Sequence, residues 1–230
     1  MAFWAIETIL LVALLAPVTQ GVKVGDTGAG TLYVLKVVKD VALVTQSTNF
    51  DNLPFLLVSG HPGYLNARSL VQFEALPDAC QSSKIKFAKM YLYYLNTRKS
   101  RWRHPSTRTP FIPRYLLVHL VKKYWREIQA TSSVRYSGAN WTSPWLGLDG
   151  TDAKKAPQEW NPVTIVPGRP TGFVEFDITS AVRSWSSGVP NYGVVIQAVN
   201  EQEAGIGIRF ASNSYKDPKM HPFATVFCAK

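Results

Sequence analysis

The chain has 230 residues, 46% of them hydrophobic, and carries a formal charge of +10. That is enough apolar sequence for a full core, and it fits one large all-β domain as readily as two small ones. Two cysteines exclude a mini-fold that depends on disulfides. The basic balance, in a chain that opens like a secreted one, points to anionic glycans, acidic matrix proteins or phospholipid surfaces rather than nucleic acid, or else to a solvated excess of charge.

Ile9 to Ala16 is a short apolar run, followed by Pro17-Val18-Thr19-Gln20-Gly21. This has the outline of a secretory signal over residues 1–21, with cleavage expected after Gln20 or Gly21. It lacks a preceding Lys or Arg and has Glu7 instead; the other reading is an N-terminal anchor, although the run is short for a membrane span. Without that segment the charge becomes +11. No later stretch is apolar enough to cross a bilayer, so the mature chain is expected outside the cell.

Residues 22–31 are small and polar and read as a flexible lead-in. Leu32 to Val44 is rich in Val and Leu and reads as strand, Asn49 to Pro54 as a turn, and Phe55 to Ser59 as a strand ending in the turn Gly60-His61-Pro62-Gly63. Ser69 to Phe73 alternates. So does Ile85 to Leu95, with Ile85, Phe87, Lys89, Tyr91 and Tyr93 on one face. Asn96 to Arg114 is a long basic connection. Tyr115 to Val121 is strand-like, Lys122 to Ile128 reads as a short helical turn, and Trp141 to Pro170 is rich in Pro, Gly and Asp around Trp141, Trp145 and Trp160.

The segment from Phe173 to Val199 changes period twice. Phe173 to Phe176 alternates; then Ile178, Ala181, Val182 and Trp185 fall on one helical face. Asp177 stands where an N-cap belongs and Thr179 can cap the same turn; Gly188 and Pro190 stop the helix. Alternation resumes after Gly193. The expected object is two helical turns that lay Val182 and Trp185 over one end of a core, which is architecture rather than an active site. The whole pattern, with no repeat and no heptads, predicts a single all-β, jelly-roll-like β-sandwich over residues 32–230 with one short capping helix.

The signature F-D-I-T-S-A-V-R-S-W, followed by N-Y-G-V-V-I, resembles the DNRLRE family: β-sandwich domains related to an archaeal disaggregatase, some classed as carbohydrate-binding modules. Asp177, Thr179, Val182 and Trp185 carry it. Asp40–Val44, Leu56–Val58, Arg68–Phe73, Ile85 with Ala88–Tyr93, Phe210–Ser212 and His221–Val226 are similar to that family's other strands, so the likeness spans most of residues 40–228. It implies a sandwich and a carbohydrate ligand. The chain departs from the pattern at Asn213-Ser214, where Arg-Glu often follows the late Ser, and in the basic insertion at Asn96–Arg114. The same helix signature is similar to a piece of transforming-growth-factor-β prodomains, read here as shared architecture only.

Chemistry is sparse. None of His61, His104, His119 and His221 stands at metal-ligand spacing; His119, in an apolar strand, reads as a hydrogen-bonded core residue. There is no G-x-S-x-G elbow, no phosphate-cradling Gly loop and no carboxylate pair that the sequence places together, so no catalytic residue is assigned. Asp149-Gly150-Thr151-Asp152 puts two carboxylates around a Gly, suited to Ca²⁺ or, more simply, to an Asx turn; no other cofactor is expected. Asn140-Trp141-Thr142 is a glycosylation sequon among turn-like neighbours, so Asn140 is a candidate glycan site. Cys80 and Cys228 are expected to pair, the other reading being two core thiols.

Arg98, Lys99, Arg101, Arg103 and Arg108 surround Trp102 and His104. Guanidinium groups bind carboxylates and sulfates bidentately, and an indole face stacks on a sugar. This is the candidate ligand-binding surface, unless it is a solvated loop or a protease-sensitive one. Three functions remain: a secreted non-catalytic module that binds carbohydrate, anionic polysaccharide first; a structural extracellular-matrix protein with acidic protein or mineral partners; and, with no motif in support, a polysaccharide-degrading enzyme.

Overall fold

The computed structural model describes residues 21–44, 48–60, 67–99, 113–159, 162–166, 168–199, 201 and 206–230. The expected signal peptide therefore lies, except for Gly21, outside the described residues. In chain order the strands are β1 (Val22–Thr27), β2 (Gly30–Val44), β3 (Phe55–Gly60), β4 (Ala67–Phe73), β5 (Ile85–Lys99), β6 (Arg114–Leu120), β7 (Val134–Tyr136), β8 (Ala139–Asn140), β9 (Val163–Ile165) and β10 (Gly172–Asp177). The one α-helix among the described residues, α1 (Thr179–Ser186), precedes β11 (Val194–Ala198), β12 (Ile206–Ala211) and β13 (Phe223–Ala229).

The protein is an all-β, sandwich-like domain. Two strands of 15 residues, β2 and β5, organise it by changing partners along their length. The first half of β2 pairs with β13 from Gly30↔Ala229 to Lys36↔Phe223; beyond a register shift at Val37–Lys39 the second half pairs with β4. β5 pairs with β13 from Ile85 to Tyr91 and with β12 from Tyr94 to Lys99. β12 continues to β3, which meets β4 at Ser59↔Ala67, so β2, β13, β5, β12, β3 and β4 close into a hydrogen-bonded ring. Closure reduces the strand edges that could template aggregation; among the described residues β1, β9 and β10, each with one partner strand, keep a free side. β10 adds to β5, β1 to β2, and β11, β6 and β9 extend from β4.

The main core lies between two faces. Ala88, Met90 and Leu92 of β5, Val174 and Phe176 of β10, and Ala224 and Val226 of β13 face Val71, Phe73, Val194, Ile196, Leu116 and Val118. A second cluster lies on the outer side of β2, β4 and β11. There Val41, Leu43, Leu70 and Val195 are covered by Val121, Trp125, Trp141, Leu146 and Ala153 from the 121–153 segment. Both sides of these strands are therefore buried, which is why Val41–Val44 is a continuous apolar run and why the alternation expected after Gly193 gives way to three buried residues, Val194–Ile196. Gly193 is required at the start of β11: its φ is +80°, and a Cβ there would overlap the Val71 carbonyl oxygen.

The helix closes one end of the main core through Ile178, Ala181, Val182 and Trp185, as its spacing predicts. Its start needs correcting by one residue, because Ile178, not Asp177, occupies the N-cap position. Asp177 Oδ1 still accepts the Thr179 amide at 2.8 Å. The Thr179 hydroxyl does not cap the helix either. It accepts the Ala88 amide at 2.9 Å and donates to the Ala88 carbonyl at 3.3 Å, tying the helix to β5. Arg183 donates to the Ile85 carbonyl at 2.8 Å and Ser186 to the Cys80 carbonyl at 2.7 Å.

Two other expectations are corrected. Residues 22–31 are no flexible lead-in: they form β1 and the start of β2, because Val22 and Val24 pack on Val34 and Phe223. The short helical turn expected at Lys122–Ile128 is displaced: the chain is irregular to Arg126, where Trp125 is drawn into the second cluster with its indole N–H donating to the Tyr192 carbonyl at 2.8 Å, and then turns, the Gln129 and Ala130 amides donating to the Arg126 carbonyl. Cys80 and Cys228 are bonded, with Cα atoms 5.6 Å apart across 148 residues of chain. Reduction should lower unfolding free energy by about 2–4 kcal/mol, read as an earlier midpoint in guanidinium; an unchanged midpoint would show that the β2–β13–β5 ladder alone fixes the C-terminus.

Candidate functional site

Of the predicted basic surface, Arg101, Trp102, Arg103 and Arg108 lie outside the described residues. Arg98 and Lys99 are the last residues of β5, with backbones opposite Gly207 and Ile206. What the structure assembles is the outer face of the strand that leads into them.

Alternation along β5 sends Ala88, Met90, Leu92 and Tyr94 into the core, and Phe87, Lys89, Tyr91 and Tyr93 outward. Ile85 departs from the expected face: a register shift between Phe227 and Cys228 turns it inward, where it is buried beside Cys80. The neighbouring strands present aromatic rings at matching positions, Phe223 and Phe227 on β13 and Phe173 on β10. Tyr91 stacks on Phe223 with centroids 4.8 Å apart; Phe173 meets Phe223 edge-on at 5.3 Å and Tyr93 at 5.1 Å. Phe87 and Phe227 stack at 5.4 Å. Such cross-strand ring pairs stabilise the sheet, but Phe87 and Phe173 remain 41% and 38% exposed, so the strip also offers aromatic surface to a ligand.

Charge flanks the rings. Lys89 Nζ lies 2.9 Å from Asp177 and 3.3 Å from Glu175, and the Tyr91 hydroxyl donates to Glu175 at 3.2 Å. Burial works against the Lys89 ammonium, but Asp177 and then Glu175 outweigh it and raise its pKa. For Asp177 burial likewise opposes the charge, and the Thr179 amide and Lys89 overcome it, holding the carboxyl below its ordinary value.

Past Tyr93 the strip opens into a cavity of about 380 Å³ lined by Phe55, Tyr93, Asn96, Arg209, Tyr215 and Met220. The Arg209 guanidinium lies over the Phe55 ring at 4.1 Å. Tyr215 is held from behind: His221 Nε2 donates to its carbonyl at 2.7 Å, and Asp217 caps the Pro218–Met220 turn through the Lys219 amide at 3.0 Å. Aromatic rings with an amide and a guanidinium around a concave space suit a ring-shaped polar ligand whose C–H faces are apolar and whose edges carry hydroxyls.

The other singled-out residues have structural partners. Asp149 accepts from the Thr151 amide at 2.9 Å and from its hydroxyl, an Asx turn; the hydroxyl and then the amide lower its pKa. Asp152 is fully buried and accepts from the Thr142 amide (2.8 Å), the Thr142 hydroxyl (2.9 Å) and the Gly147 amide (2.9 Å). The two carboxylates flank Gly147, and both use oxygens on protein donors. Asn140 is exposed on β8. His119 is buried, with Nδ1 3.0 Å from the Lys154 carbonyl and Nε2 3.1 Å from Gln197, and burial lowers its pKa. Asp40, buried on β2, has its pKa pushed up to about 7, first by burial and then by the charge of Glu127, against one hydrogen bond from the Asn213 amide at 2.6 Å.

Among the described residues no three His, Cys, Asp or Glu side chains converge on a metal position, and no helix is long and apolar enough to cross a membrane. The chain matches no protein-family model and no curated protein sequence.

Proposed function

We propose that this is a secreted, non-catalytic module of DNRLRE type that binds carbohydrate, with anionic polysaccharide favoured. The observation that supports it best is the aromatic strip on β5, β10 and β13, opening onto the Phe55–Arg209–Tyr215 cavity on the strand that runs into the basic segment at 96–114. Sugar rings would lie on the strip, and Arg209 with the basic segment would meet carboxylates or sulfates. The disulfide fits an oxidising compartment. The reading needs no cofactor and no chemistry. A structural matrix protein held by charge alone is the alternative, supported by the formal charge of +10.

Tyr93→Ala with Phe173→Ala should weaken polysaccharide binding about tenfold or more in calorimetry, roughly 1.4 kcal/mol, with a lowered thermal midpoint but a still cooperative transition, since two cross-strand ring pairs are lost as well. Replacing Arg98, Lys99, Arg101 and Arg103 by Ala should remove the salt-sensitive part of that binding. Full affinity in the first variant would take the strip out of the reading.

A further inference from the structure

We infer that the opposite outer face carries a second ligand site, independent of the strip, which takes sulfated or carboxylated sugar units. Lys39, Val41 and Leu43 share the outer side of β2, where the 121–153 segment packs. On that segment and beside it, Tyr124, Tyr136 and Tyr192 form an edge-to-face group with centroids 5.8 and 6.0 Å apart. Cations sit on these rings. Lys39 lies 5.0 Å from the Tyr124 centroid, and Arg126 and Arg135 lie 5.6 and 5.3 Å from that of Tyr136.

The arrangement is held in place before any ligand arrives. Arg135 donates to the carbonyls of Asn140 and Tyr124, each at 3.1 Å, and its own carbonyl accepts the Arg126 amide at 3.0 Å. Trp125 anchors the turn from inside through Tyr192. Among the described residues no carboxylate lies within ion-pair distance of Lys39, Arg126 or Arg135. The acidic neighbour on the same turn, Glu127, directs its Oε1 to the Asp40 amide at 2.7 Å. Lys39 feels the charge of Glu127 without forming an ion pair with it, and cations fixed on aromatic faces with no carboxylate in contact are placed to receive an anion. Rings alternate with cations here, and Tyr124 is 41% exposed, so the fit is to an anionic group borne on a sugar ring, which can cover a phenol face as an acidic peptide backbone does not.

The test is an NMR titration of the chain from residue 22 with sucrose octasulfate, alongside sucrose and a short oligoglutamate. Ring signals of Tyr124 and Tyr136 should shift with sucrose octasulfate only, while those of Tyr91 and Tyr93 define the strip separately. Lys39→Gln with Arg126→Gln should weaken this binding about tenfold, read at the Tyr124 and Tyr136 rings. If the strip binds nothing, these outcomes still stand. Shifts at Tyr93 without Tyr124, equal response to oligoglutamate, or full affinity in the folded Lys39/Arg126 variant would each overturn the inference.

Discussion

Asp40→Asn is expected to stabilise the protein above neutral pH and to flatten its stability profile between pH 4 and 7. Asp40 is 2% exposed, and its pKa in the fold is about 7 against an ordinary 3.8. Between those values the folded protein holds the proton while the unfolded chain releases it. Stability is therefore fully present below about pH 4 and falls as pH rises through about 7, where the buried carboxylate ionises. The size is on the order of 4 kcal/mol at most, from about three pH units of difference. Glu127, whose pKa is also raised, by burial first and by Asp51, adds in the same direction. The Asn amide oxygen can still accept the Asn213 amide, so the variant avoids ionisation without losing that bond. Urea denaturation at pH 5 and pH 8 checks it: wild type should be weaker at pH 8, and the variant should lose clearly less between the two, the remainder coming from Glu127. A wild type that gains stability from pH 5 to pH 8 would contradict the assignment.

Asp152→Ala should be the most damaging single change on the covering segment. The side chain gathers the Thr142 and Gly147 amides and the Thr142 hydroxyl with no exposed surface, and the Ser143 amide lies 3.4 Å away. Removing it orphans these donors around a void, a loss of about 3–5 kcal/mol. Trp141, next to Thr142 in sequence, is in the cluster that covers Val41, Leu43 and Leu70, so indole emission should shift red at lower denaturant. Asp152→Asn, which keeps one acceptor oxygen, should lose less. Equal midpoints for Ala and wild type would mean that the segment is held by Trp125 and Trp141 alone.

Local signals were legible and pairings were not. The helix face of Ile178, Ala181, Val182 and Trp185 needs only a period of 3.6, and the outward set Phe87, Lys89, Tyr91 and Tyr93 only a period of 2; both are as the sequence predicts. Ile85 was misplaced because a bulge depends on the partner strand β13. The order of residues 22–31 comes from Val34 and Phe223 rather than from their own composition, which is that of a flexible segment. Arg209 and Tyr215 reach Tyr93 from more than 110 positions away, so no spacing rule announces that cavity. The run Lys122-Lys123-Tyr124-Trp125-Arg126 carried a readable signal, basic and aromatic residues interleaved, which a helical reading obscured. Asp152 looked like a metal ligand because two carboxylates around a Gly carry the same residue types whether they face an ion or backbone amides.

The most direct test is to titrate residues 22–230 against sulfated, uronic and neutral polysaccharides at low and physiological salt, following binding and polymer length together. Saturable binding to one class that survives physiological salt, with no chain shortening, is the expected result. Chain shortening, or binding to every polyanion that vanishes at physiological salt, would contradict it.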